Sequence, residues 1–262
     1  VSRMHLYFEA DVDAWQRRQF HLFHGTNAAL TMPAISAEES DGKVTFSGRD
    51  MQVAFHVEGR QAGAISGIKT PFGTPALGGG ILAPHLTLVR QNEDLKTVRS
   101  STVSWHSPDS MEVRSIKWGA GPLFAKLTVR VSAGNAPDEA EFIYMIPKSG
   151  SYFSQAARFF PEEQDTGDVV GVGGGDMLRG KITIGPREGD QRVIQAPAGL
   201  RKLMRSVHGF SNNALVSPAS GMGMLVVPYI QTGVGAMALE EDGTLGIRCT
   251  DLFRRKRDSN SG

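Results

Sequence analysis

The stretch 123–131 alternates strictly: Leu123, Ala125, Leu127, Val129 and Val131 on one side, Phe124, Lys126, Thr128 and Arg130 on the other. A period of two is the signature of a strand with one buried and one wetted face. Segments of this kind recur along the chain, at 4–9, 43–46, 51–57, 86–89, 97–105, 111–117, 124–131, 141–146, 181–184, 192–195, 223–230, 237–240 and 244–249. They are separated by Gly-, Pro-, Asn- and Ser-rich stretches at 69–80, 133–138, 162–176, 185–189 and 211–221, which read as loops. Helical periodicity is confined to 11–20, 151–160 and 198–207, too short and too few for a bundle. The expected fold is all-β, an antiparallel β-sandwich of the jelly-roll type with a few short helices. One such domain is expected over 1–250, including an N-terminal extension, followed by a polar C-terminal tail at 251–262.

Composition narrows the function classes. The chain has 262 residues and 40% hydrophobic content, enough for a substantial core. Glycine (31) and proline (13) are abundant, which favours turns over long helices. With 28 basic against 27 acidic residues the net charge is +1, so no overall field draws the chain to nucleic acid. A single cysteine, Cys249, rules out an internal disulfide framework and a Cys-rich zinc site. No apolar run approaches the roughly 18 residues of a membrane helix, and no membrane span is expected. A start at Val1 reads as that of a processed product.

Catalytic signatures are missing one after another: no phosphate loop, no His-Glu-x-x-His, no Gly-x-Ser-x-Gly elbow. Gly171-Val172-Gly173-Gly174-Gly175-Asp176 falls short of a dinucleotide fingerprint, because Asp176 takes a required glycine position and no βαβ unit surrounds it. His21 and His24 would share a face only on a helix, with no third ligand nearby. The carboxylates Glu162, Glu163 and Asp165, and Glu240, Glu241 and Asp242, sit in turn-like contexts where solvation explains them. Arg254 to Arg257 read as a solvated basic tail. No catalytic, cofactor or metal residue is therefore assigned, and an enzyme is not expected.

Three stretches carry a resemblance. Phe124 to Val131 leads through a polar loop to Glu141-Phe142-Ile143-Tyr144-Met145-Ile146 and a stop at Pro147-Lys148-Ser149-Gly150. Met224-Leu225-Val226-Val227-Pro228-Tyr229-Ile230 follows, then Asp242-Gly243-Thr244-Leu245-Gly246-Ile247-Arg248. In this order they resemble the jelly-roll core of picornavirus-like capsid proteins. That resemblance implies a structural coat subunit of an icosahedral virion, assembling with homologous capsid subunits in the host cytoplasm. Viral RNA and a host receptor or glycan would be its further partners. It also implies that Pro147 and Pro228 mark strand ends; the Gly-rich composition of 165–175, which cannot fill a core, separately predicts a surface or interface loop there. Trp118-Gly119-Ala120-Gly121-Pro122-Leu123, with the stretch 235–244, is similar instead to the β-supersandwich that accompanies α-mannosidases and mutarotase-like carbohydrate-active proteins. That resemblance implies a sugar-binding sheet with Trp105, Trp118 and Tyr144 as stacking platforms and His85 or His106 as acid/base.

Overall fold

The alternation at 123–131 becomes a strand, Phe124–Ser132, in which Ala125, Leu127, Val129 and Val131 are fully buried and Lys126 is exposed. The structure, a computed structural model, describes residues 34–91, 98–104, 112–132, 139–160, 170–174, 176–184, 191–195, 213–218, 220–226 and 233–254. Its strands in chain order are β1 (Ser36–Ser40), β2 (Lys43–Ser47), β3 (Gln52–His56), β4 (Ile65–Lys69), β5 (Ala76–Ala83), β6 (His85–Gln91), β7 (Val98–Ser104), β8 (Glu112–Ala120) and β9 (Phe124–Ser132). They continue with β10 (Glu139–Pro147), β11 (Ser154–Phe160), β12 (Val170–Gly174), β13 (Asp176–Thr183), β14 (Arg192–Gln195), β15 (Asn213–Ser217), β16 (Met222–Val226), β17 (Gly233–Leu239) and β18 (Thr244–Arg254). The only helix among the described residues is a 3-10 turn at Gly59–Gln61.

Every pairing among the described strands is antiparallel. The long sheet runs β1-β2-β3-β4-β5-β13-β18-β12-β6-β7, with β17 added to β18. A second sheet is β11-β10-β9-β8 and a third is β14-β15-β16. Phe46, Phe55, Ile65 and Leu82 of the long sheet share one core with Leu127, Val129, Phe142, Tyr144 and Ile146 of the second sheet. The fold is thus the antiparallel β-sandwich expected from the alternation. Its described connectivity is largely a meander of consecutive hairpins, β1 to β5 on one side and β8 to β11 on the other, where two Greek keys would define a jelly roll. A smaller cluster, Ile182, Ile184, Leu215 and Leu245, packs the third sheet against β13 and β18.

Several expectations are corrected. The segment 151–160 is not a helix: Ser154–Phe160 is edge strand β11, paired along its length with β10. Its Ala-Ala-Arg run has helical propensity, but a partner offering a full ladder and a core face for Ala157 outweighs that weak bias. The expected loops at 69–80, 162–176 and 211–221 each hold part or all of a strand, namely β5, β12 and β15. Glycine-rich β12 lies between β18 and β6, so Val170–Gly174 is sheet and not the surface loop expected over 165–175. β18 continues to Arg254, which places the first four residues of the expected tail in the sheet. β1 and β4 had no counterpart among the expected strands. The expected strand at 4–9 and helices at 11–20 and 198–207 lie outside the described residues.

Candidate functional site

Strand direction places the β2–β3, β4–β5, β8–β9, β10–β11 and β17–β18 turns at one end of the sandwich, together with the entry to β1. Backbone hydrogen bonds tie the entry to β1 and the β2–β3, β8–β9 and β10–β11 turns to one another across the two sheets. Ile35 N–H donates to Gly121 O at 2.9 Å, Lys148 N–H to Leu123 O at 2.8 Å, and Arg49 N–H to Lys148 O at 2.6 Å. The Asp50 carboxylate accepts from Gly150 N–H at 2.8 Å, and Ser151 Oγ donates to Asp50 O at 3.3 Å. Gly48 makes this approach possible, because a Cβ there would lie 2.9 Å from the carbonyl oxygens of both Pro147 and Lys148. The bond from Gly150 lowers the Asp50 pKa against an opposing desolvation, with Arg49 helping.

On this clamped end stand three large exposed rings: Phe72 (77% exposed), Tyr152 (63%) and Trp118 (39%). Phe72 is carried by the tight turn Thr70–Gly73, where Thr70 Oγ1 accepts from Phe72 N–H at 3.3 Å and donates to Gly73 O at 3.0 Å. The Tyr152 ring packs against Gly150, whose φ of +97° and lack of a side chain admit it. Trp118 sits on the outer strand β8 with its inner edge on Phe46, centroids 5.9 Å apart. From Phe46 the aromatic contacts continue to Phe55 at 6.1 Å and on to Tyr144 at 4.9 Å, so the exposed indole is the outer end of a chain of rings through the core.

The residues singled out in the sequence fall out unevenly. Trp118 is exposed and available as a platform. Tyr144 is not: it is fully buried, Gln155 Nε2 donates to its hydroxyl at 3.3 Å, and burial pushes its phenol pKa well up. An alternating strand shows which residues share a face, and Tyr144 shares the inward face with Phe142 and Ile146. His85 opens β6 opposite Ser104 of β7. Trp105 and His106, with His21, His24, Glu162, Glu163, Asp165, Pro228 and Arg255 to Arg257, lie outside the described residues. Glu240 and Asp242 serve their hairpin: Arg179 pairs with Glu240 at 2.7 Å, and Thr244 N–H donates to Asp242 at 3.0 Å. Pro147 ends β10 as expected.

Phe72 and Tyr152 were missed in the sequence. The signal was a bulky ring inside turn chemistry, Thr-Pro-Phe-Gly-Thr-Pro and Ser-Gly-Ser-Tyr, where no core face is on offer. No protein-family model matches this chain and no curated protein is significantly similar to it.

Proposed function

We propose that this chain is a carbohydrate-binding domain of the β-supersandwich type, with Phe72, Trp118 and Tyr152 as the platform that receives the sugar. The observation that carries this reading is that three large exposed rings stand at one end of the sandwich, Phe72 on the β4–β5 turn, Trp118 near the end of β8 and Tyr152 beside the β10–β11 turn that is bonded to the opposite sheet. Rings present flat apolar faces to the C–H face of a pyranose, and Tyr and Trp add a polar rim for hydroxyls. Rigid turns lower the ordering cost of binding. The large meandering sheets fit a supersandwich, whereas a jelly roll needs two interleaved Greek keys. A glycan panel titrated with the full chain tests the reading. Binding to at least one polysaccharide, weakened at least about tenfold in Trp118→Ala and Tyr152→Ala, supports it. Absence of any glycan binding by the folded chain overturns it. Product analysis on the same mixtures separates a binding module from an enzyme.

A coat subunit is the second reading. Its support is that the described parts of the quoted motifs include strand residues, Phe124–Val131, Glu141–Pro147, Met224–Val226 and Thr244–Arg248, with β10 halting at Pro147 and Gly150 in a positive-φ turn. Closed shells seen by sedimentation and negative-stain microscopy would establish it, and a monomer or dimer would remove it.

A further inference from the structure

Between Arg205 and Glu240 the chain carries no Asp, Glu, Lys or Arg, although 21% of all its residues are charged. That run supplies β15, β16 and β17. Outer strands elsewhere in the molecule bear charges: Glu38 and Glu39 on β1, Arg99 on β7, Arg114 and Lys117 on β8, Arg158 on β11 and Arg192 on β14. Such charges keep the unpaired backbone groups of a sheet edge from recruiting another strand. β16, Met222-Gly223-Met224-Leu225-Val226, has none, and among the described residues it pairs on one side only, with β15. β17 is uncharged too, but it lies against β14 and β15.

The two faces of β16 differ. Met224 packs inward on the cluster of Ile182, Ile184, Leu215 and Leu245. On the other face Gly223 is exposed, and Leu225, two positions on, is 56% exposed. Val216 stands across the ladder from Gly223, its Cγ1 3.3 Å from where a Cβ would be. An exposed leucine thus neighbours a notch floored by glycine and walled by Val216.

We propose that β16 is the contact between two copies of this chain, paired antiparallel about a two-fold axis at Met224. In that register Met222 faces the partner's Val226 and Gly223 faces the partner's Leu225, so each leucine fills the other copy's notch. The strand is complementary to itself in shape, and with no charge on it the pairing brings no like charges together and desolvates no ion. The two β14-β15-β16 sheets become one continuous sheet whose inner face extends the Met224 layer. Using the single unpaired side of β16, the contact closes as a dimer and propagates no fibre. Five residues per copy fall far below the roughly 20–30 a side of a standard interface, so dimerisation is expected in the micromolar range.

Sedimentation velocity of the full chain across the micromolar range tests this, with a concentration-dependent shift from monomer to dimer expected. Leu225→Lys places an ammonium group in each apolar notch and should weaken the dimer at least about tenfold, while Leu225→Met should keep it. Arg158→Gln on the edge strand β11 should leave it unmoved. Met224→Cys in a Cys249→Ser background sets two thiols at the axis and should give a disulfide-linked dimer under mild oxidation; if Leu225→Lys fails to fold, this cross-link decides. A chain that stays monomeric throughout overturns the proposal, and is the result if another part of the same chain covers β16. A dimer indifferent to Leu225→Lys and not cross-linked at position 224 overturns it as well, since the contact then lies on another edge.

Discussion

The aromatic end of the sandwich and its opposite end use the same hairpin architecture toward different results. At the first, contacts between residues about a hundred positions apart lock turns of two sheets together, Asp50 to Gly150 and Arg49 to Lys148. At the second, the hydrogen bonds of the described turns stay within one sheet, Gly42 accepting from Val57 N–H at 2.8 Å, and the contact across the sheets is apolar, Gly63 lying against Val129. Long-range clamping costs more chain entropy, which its contacts must offset, but it yields a rigid surface. The rings sit on the clamped end, where rigidity matters to a ligand.

The comparison can be broken most severely through what the ends share. Phe55 touches both Phe46 and Tyr144 in the core, so Phe55→Ala should cost about 3–5 kcal/mol, read as a lowered urea midpoint. It should also red-shift Trp118 emission in a background lacking Trp15 and Trp105, because Phe46 supports the indole. Next come two glycines. Gly48→Ala forces a methyl against two carbonyls of the opposing turn and should cost about 1–3 kcal/mol, with weakened glycan binding. Gly59→Ala has open space and pays only for its φ of +68°, about 1 kcal/mol, leaving binding unchanged. Equal effects on binding would show that the clamp does not organise the site.

The smallest effects separate the ends by pH. His56, on the last position of β3 toward the far end, has its pKa lowered by burial and by Lys43. The unfolded chain therefore takes up this proton first. Stability from His56 is whole above the unfolded value of about 6.5 and falls as pH drops from there to the lowered folded value. Asp50 is also lowered, by the Gly150 N–H, so its contribution is whole above the ordinary carboxylate value and is lost as pH falls through the folded one. Unfolding curves should thus show a shallow step below neutrality that disappears in His56→Gln, and an acid step that becomes shallower in Asp50→Asn.

Strand content was largely legible because alternation is a local property. β2, β3, β9 and β14 were placed to within a residue and others within a few, whereas β1, β4, β5, β11, β12 and β15 were not read as strands. β11 was misread as a helix because its partner, β10, is what makes it a strand. β12 was misread as a loop for a related reason: its glycines offer no side-chain pattern, and only the ladders of β18 and β6 on either side hold it. Of the candidate platforms, Trp118 survived and Tyr144 did not, since exposure of an aromatic on an alternating strand depends on whether the opposing sheet covers it.

The sequence by itself determined an all-β antiparallel chain with buried and wetted faces, because the period of two follows from covalent backbone geometry. Of the turns it determined the stop after Pro147, where Gly150 takes a positive φ, but not the extent of the Gly-rich stretches at 69–80, 162–176 and 211–221, which hold strand residues. Only the tertiary structure decided which turns meet, and so which rings share an end of the sandwich. Phe72, Trp118 and Tyr152 are dispersed over 81 positions of the chain and are gathered at one end solely because two sheets pack face to face in one direction. That packing is set by apolar burial across the whole core, a sum over distant residues that no local window contains.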